Sequence, residues 1–128
     1  MIRRLTALAP ILALVAAVAA CGSADPASAA FVDLREGAIE TSTDVLASGE
    51  VTLLVENVGE FPHTLVITDS ADGVLLATNL VQPGETVSAT LDLPPGELQF
   101  TCRIVTTDDT GAVIDHYQDG MRRTVTAA

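Results

Sequence analysis

The sequence predicts an all-β fold, a Greek-key β-sandwich of roughly seven or eight short strands behind an N-terminal leader. Three observations carry that expectation. Apolar and polar residues alternate in short runs rich in Val, Ile, Leu and Thr. Turn signals such as Ser48-Gly49, Asp72-Gly73, Pro83-Gly84 and Pro94-Pro95-Gly96 separate these runs. Helical periodicity nowhere extends beyond a turn or two.

In chain order, residues 1–20 form a targeting element. Arg3 and Arg4 supply the positive charge, and the apolar run from Leu5 to Ala20 is short for a membrane span. Its end, Val18-Ala19-Ala20-Cys21, resembles the lipobox of bacterial lipoproteins, so Cys21 is expected to be lipidated and to become the new N-terminus. Cleavage near Ala27-Ser28-Ala29 is the ordinary-secretion alternative. Residues 21–30, small and poor in apolar bulk, read as the lipidated cysteine and a flexible tether. The domain proper is then residues 31–128, on the outer face of a bacterial cell membrane and held there by acyl chains.

Within that domain Phe31-Val32-Asp33-Leu34-Arg35 alternates and turns at Glu36-Gly37 into Ala38-Ile39-Glu40-Thr41. The run Glu50-Val51-Thr52-Leu53-Leu54-Val55-Glu56-Asn57 is apolar enough for a buried central strand, closed by Asn57-Val58-Gly59. His63 opens the next strand, which ends near Asp69, and Val74 to Val81 forms another. Glu85 to Leu93 has clean period-two alternation, the mark of a strand with one wet face. Glu97-Leu98-Gln99-Phe100-Thr101-Cys102 and Arg122-Arg123-Thr124-Val125-Thr126 complete the set.

Beyond the leader there is no lysine, and the four arginines Arg35, Arg103, Arg122 and Arg123 face seventeen acids, a net charge of −13. Nucleic acid is excluded as a partner, because no basic patch exists to displace counterions from phosphates. The charge suits solubility and steering toward a basic docking face on a protein, unless the acids merely solvate the surface.

Soft and imidazole side chains are scarce: two His, two Met including Met1, and two Cys. Outside the leader and Cys21, the whole supply is His63, Cys102, His116 and Met121. One thiolate, two imidazoles and one thioether make the ligand set of a mononuclear blue-copper site. A thiolate serves both Cu(I) and Cu(II), the imidazoles tolerate either, and a long thioether bond tunes the potential. Taken singly, each residue reads as ordinary: a small buried Cys, a satisfied loop His, a Met filling a gap.

The order Asn57-x-Gly59, His63 at a strand start, Gly96-Glu97-Leu98-Gln99-Phe100-Thr101-Cys102, and His116-x-x-x-Gly120-Met121 before a last strand resembles the cupredoxin family of blue-copper proteins. The resemblance covers most of residues 31–126. It implies a Greek-key sandwich with one type 1 copper at one end and one-electron transfer to a partner protein. His63, Cys102 and His116 would be the equatorial ligands and Met121 the axial one.

Two departures accompany it. Thirteen residues separate Cys102 from His116, a longer loop than the family usually has. Donor atoms on one ion lie within about 4 Å of each other, so this chain must go out and return. Arg103-Ile104-Val105-Thr106, a turn over Thr107-Asp108-Asp109-Thr110-Gly111, and Ala112-Val113-Ile114-Asp115 predict an inserted β-hairpin. Thr64 also stands where many members have an Asn that ties the ligand loops together, and it offers a weaker version of that bond. Asn57 is a candidate substitute, or the cap of its own strand.

A multicopper oxidase needs further His pairs and a binuclear copper centre a second Cys in the ligand loop; the chain has neither. No phosphate-binding glycine loop is present. Neither His sits in a recognisable nucleophile motif. The expectation is a non-enzymatic, monomeric electron carrier anchored to a membrane. A copper chaperone or buffer using the same ligands, and a metal-free β-sandwich binding module, are the alternatives. The resemblance to cupredoxins further implies that the downstream His reaches the surface through an apolar patch, for which Phe61, Pro62 and Tyr117 are the expected rim, with Asp115 and Asp119 close by for steering.

Overall fold

The computed structural model describes residues 25–128, which form eleven strands and no helix; none of these residues therefore belongs to a helix long and apolar enough to cross a membrane. One sheet contains β1 (Ala29–Arg35), β2 (Ala38–Thr41), β4 (Gly49–Asn57) and β7 (Thr86–Leu93), in the order β2-β1-β4-β7. The second contains β3 (Val45–Leu46), β5 (Val66–Thr68), β6 (Val74–Ala77), β8 (Gly96–Thr101) and β11 (Arg122–Ala127), in the order β3-β11-β8-β5-β6. β1 pairs with β4, and β3 with β11, in parallel; the other neighbours within the two sheets are antiparallel. The β1–β2 and β5–β6 hairpins stay within one sheet, whereas the chain crosses between the sheets at β2–β3, β3–β4, β4–β5, β6–β7 and β7–β8, the expected sandwich.

The alternation in the sequence decides which face of each strand is buried. Val32 and Leu34 from β1, Val51, Leu53 and Val55 from β4, and Leu93 from β7 form one wall of the core. Leu46, Ile67, Leu98, Phe100 and Val125 form the other. Burying each such side chain contributes about 1.5–3 kcal/mol before the entropy of ordering is subtracted. β4 is central in its sheet, as its apolar run predicts, yet Leu54 points outward and is 38% exposed. β7 shows the clean two-residue period, with Ser88, Thr90 and Asp92 exposed.

Three boundaries differ from expectation. The sheet pairing starts before Phe31: Ala27 bridges Leu46, β1 begins at Ala29, and Ala30 is buried. Ala29 and Ala30, expected in the tether of residues 21–30, instead belong to β1 and pair with Thr52 and Leu53 of β4. β3 went unread because two residues have no period. Finally, His63 forms an isolated bridge with Val81 rather than opening a continuous strand, which leaves its loop free to turn toward the end of the sandwich. Residues 1–24, with the leader and Cys21, lie outside the described residues.

The insertion between Cys102 and His116 is the hairpin the sequence predicts, β9 (Val105–Thr107) paired antiparallel with β10 (Val113–Asp115). Asp108 closes its turn: Oδ1 accepts hydrogen bonds from Thr110 N–H at 2.9 Å, Thr110 Oγ1–H at 2.6 Å and Ala112 N–H at 3.0 Å. The Thr110 hydroxyl above all holds the Asp108 carboxyl below the usual carboxylate range. At the hairpin's base the N–H of His116 donates to the Ile104 carbonyl at 3.0 Å. The long loop is therefore closed where it leaves and returns.

Candidate metal centre

Four segments meet at one end of the sandwich. Cys102 follows directly on β8, whose partner β11 is preceded by Met121. The N–H of Cys102 donates to the Met121 carbonyl at 3.0 Å, and the N–H of Met121 donates to the His116 carbonyl at 2.9 Å. These two bonds bring Cys102, His116 and Met121 into one turn. His63 arrives from the other side, its backbone paired with Val81 at 3.1 and 2.8 Å.

The donor atoms converge. His63 Nδ1 and His116 Nδ1 are 3.1 Å apart, and Cys102 Sγ is 3.7 Å from His116 Nδ1. All three residues are buried, and their ligand atoms lie within 4.8 Å of one another. Three donors around one ion at bonds of 2.0–2.3 Å would sit about 3.5 Å apart. The separations of 3.1 and 3.7 Å bracket that value. Met121 is also fully buried and lines the same concavity as His63 and His116.

The protonation pattern suits a metal. A carboxylate can only accept, so the 3.2 Å contact between His63 Nε2 and Glu36 Oε1 puts the ring proton on Nε2 and leaves Nδ1 bare. Burial lowers the pKa of His63 against the opposing pull of Glu36, which keeps the imidazole neutral. Glu36 itself is held down to about 2. Partial desolvation works against that, but hydrogen bonds from its own N–H, from the N–H groups of Phe61 and Glu60, and from the His63 ring outweigh it.

Two neighbours steady the cluster. The N–H of Thr64 donates to Cys102 Sγ at 3.5 Å, and the Thr64 hydroxyl lies 3.8 Å from the same sulfur, the weak tie expected of Thr here. Asn57, fully buried, donates from Nδ2 to the carbonyls of Phe61 and Val81, both at 2.8 Å, and accepts from Gly59 N–H at 2.9 Å. It thus closes its own strand and clamps both segments that flank His63. Glu36 was not anticipated, since nothing in the dipeptide Glu36-Gly37 signals more than a turn.

A concavity of about 780 Å³ opens over the cluster, between the hairpin and the loops of Phe61, Pro62 and Leu80. Ile104, Ile114 and Met121 line it with His63 and His116, and Glu36, Asp108, Asp109 and Asp119 add acidic groups. Tyr117, expected at this rim, is instead stacked by two guanidinium groups, Arg103 at 4.3 Å and Arg122 at 5.1 Å from the ring centre. Cation–π attraction explains why the ring turns toward them.

Among solved structures, dithionite-reduced auracyanin from the photosynthetic bacterium Roseiflexus castenholzii superimposes with a TM-score of 0.64. The match covers 81% of this chain and 99% of that one, at 19% sequence identity. The chain has the cupredoxin fold. No protein-family model and no curated protein sequence matches it. The cupredoxin-like sandwich and its His63, Cys102 and His116 cluster are together consistent with a type 1 copper site.

Proposed function

We propose that the chain is a cupredoxin-type electron carrier, with His63, Cys102 and His116 holding one copper ion and Met121 as the weak axial ligand. The observation that carries this reading is the buried meeting of two Nδ1 atoms and one thiol, all within 4.8 Å. Copper bound there supplies a one-electron Cu(I)/Cu(II) couple. The protein's part is to hold the donors still. Cys102 and Met121 are fixed by the β8–β11 ladder, and His63 by Asn57 and Glu36. Donors that move little between oxidation states keep the cost of each electron transfer small.

The concavity beside His116 is the natural place for a partner protein to approach. Its acidic groups favour a partner with basic residues around an apolar projection. The N-terminal sequence supports anchoring through lipidated Cys21 on the outer face of a bacterial membrane. In that reading the protein is not an enzyme, and its product is a reduced or oxidised partner.

Adding Cu(II) to the purified domain tests the proposal. An intense blue thiolate-to-copper band is expected; C102S abolishes it, and M121L keeps the colour but shifts the potential. A protein that stays colourless and binds no copper ends the electron-carrier reading. Loss of all binding in M121L shows that the axial assignment is wrong. C21A is expected to move the protein from the membrane to the soluble fraction; retention on the membrane overturns the lipid anchor.

A further inference from the structure

We infer that Glu36 is a positioning residue of the metal centre: its carboxylate fixes the His63 imidazole with Nδ1 inward and, by adding negative charge to that ligand, favours the oxidised ion. The tuning half rests on the copper reading above; the positioning half stands without it.

Glu36 sits in the β1–β2 turn, on the sheet that carries none of the four candidate ligands. Yet one of its oxygens, Oε1, is a three-way hub. It accepts from the N–H groups of Glu60 and Phe61, each at 2.9 Å, and from His63 Nε2 at 3.2 Å. The backbone donors hold the oxygen in place, and the oxygen holds the ring. Space for it depends on Gly59: a β-carbon there would lie 2.6 Å from both carboxylate oxygens. The sequence thus has a glycine where any side chain would push Glu36 off His63.

The chemistry follows from charge. A carboxylate accepting a proton from the outer nitrogen gives the imidazole partial imidazolate character and raises the donor strength of Nδ1. The doubly charged ion gains more from this than the singly charged one. The Glu36 side chain is 43% exposed, so solvent screens its through-space field, but the hydrogen bond to a fully buried ring is not screened in the same way. Loss of the charge therefore raises the reduction potential, and loss of the acceptor frees the ring to exchange tautomers.

Three variants separate these effects from a simple prop under residues 59–61. E36Q keeps the shape and an acceptor oxygen but not the charge. E36A removes both. G59A leaves Glu36 intact and displaces it. In the copper-free protein, nitrogen-15 NMR of the imidazoles is expected to show His63 in a single Nε2–H tautomer in the wild type, and a mixture in E36A. The same tautomer population in E36A and wild type overturns the positioning role. In the copper-loaded protein, E36Q and G59A are expected to move the midpoint potential to more positive values and to weaken Cu(II) binding by about tenfold or more. Cu(I) binding should change less. Potentials equal to wild type in both variants overturn the tuning role. If wild type gives no blue band, the copper reading fails by itself, and the tautomer measurement still decides whether Glu36 positions His63.

Discussion

The carbonyl oxygen of Gly37 lies 2.5 Å from the point where a β-carbon on Gly120 would stand. Gly120 also has φ = +116°, a backbone region that side chains other than hydrogen rarely adopt. The glycine of the His-x-x-x-Gly-Met segment is thus required twice, by its own backbone and by the β1–β2 turn pressed against it. G120A is expected to destabilise the domain by about 1–3 kcal/mol. Because Met121 and its bond to Cys102 come next in the chain, the blue band of the loaded protein should broaden as well. Chemical denaturation reads the first effect and absorption the second. A variant as stable as wild type shows that the two turns can separate freely.

The hairpin in the ligand loop depends on Asp108 in a way open to a local test. D108A removes the acceptor of three hydrogen bonds in the tip. Each is worth about 0.5–1.5 kcal/mol at most, less on an exposed turn. The base is tied separately through His116 and Ile104, so fraying should stop there. Amide exchange should accelerate over Val105–Thr107 and Val113–Asp115 and stay slow in β4 and β8. Accelerated exchange at Cys102 would show that the hairpin and the metal site unfold together.

These two cases mark what could be read from the chain and what could not. The hairpin was legible because its cues are local: β-branched residues on both sides of an Asp-Asp-Thr-Gly turn. The cluster of His63, Cys102 and His116 was legible because the chain has almost no other residues of that chemistry. Glu36 was not, since its role arises from a contact across 27 positions that no spacing rule encodes. Asn57 was half legible: its place at the end of β4 suggested a cap, whereas its bonds to Phe61 and Val81 depend on how the His63 loop folds back. The early start of β1 was hidden because Ala29 and Ala30 have too little side chain to advertise a strand. Pairing with β4 recruits them.

Acid should weaken the copper-free domain in two stages. His63 has its pKa lowered from 6.5 by burial, so the unfolded chain takes up a proton near pH 6.5 that the folded one refuses. Stability therefore falls as pH drops through that value, by at most about 1.4 kcal/mol per pH unit. Glu36 is held at about 2 against an ordinary 4.5, so the unfolded chain again binds the proton first and stability falls further below pH 4.5. Both slopes have the same sign. Melting temperature should decline steadily from pH 7 to pH 3, and H63Q should flatten the part of the decline that sets in near pH 6.5. A melting temperature that rises between pH 7 and pH 5 would contradict the neutral, buried state of His63.

Charge near the metal end is less uniform than a total of seventeen acids against four arginines suggests. Arg35 pairs with Glu40 at 3.1 Å and Arg123 with Asp44 at 2.7 Å. Arg103 and Arg122 instead stack on Tyr117, the residue after His116. At long range a basic partner meets a net anion; on contact it meets two cations at this corner. Screening acts on the first effect beyond about 8–10 Å at ordinary salt. Electron transfer to a basic c-type cytochrome should therefore slow as ionic strength rises from about 10 mM to about 200 mM. R122Q should speed the low-salt reaction several-fold by removing local repulsion. Stopped-flow absorbance at the copper band reads both. Rates indifferent to salt would remove steering from the account, and rates that rise with salt would show that repulsion at the arginine corner outweighs the attraction of the net charge.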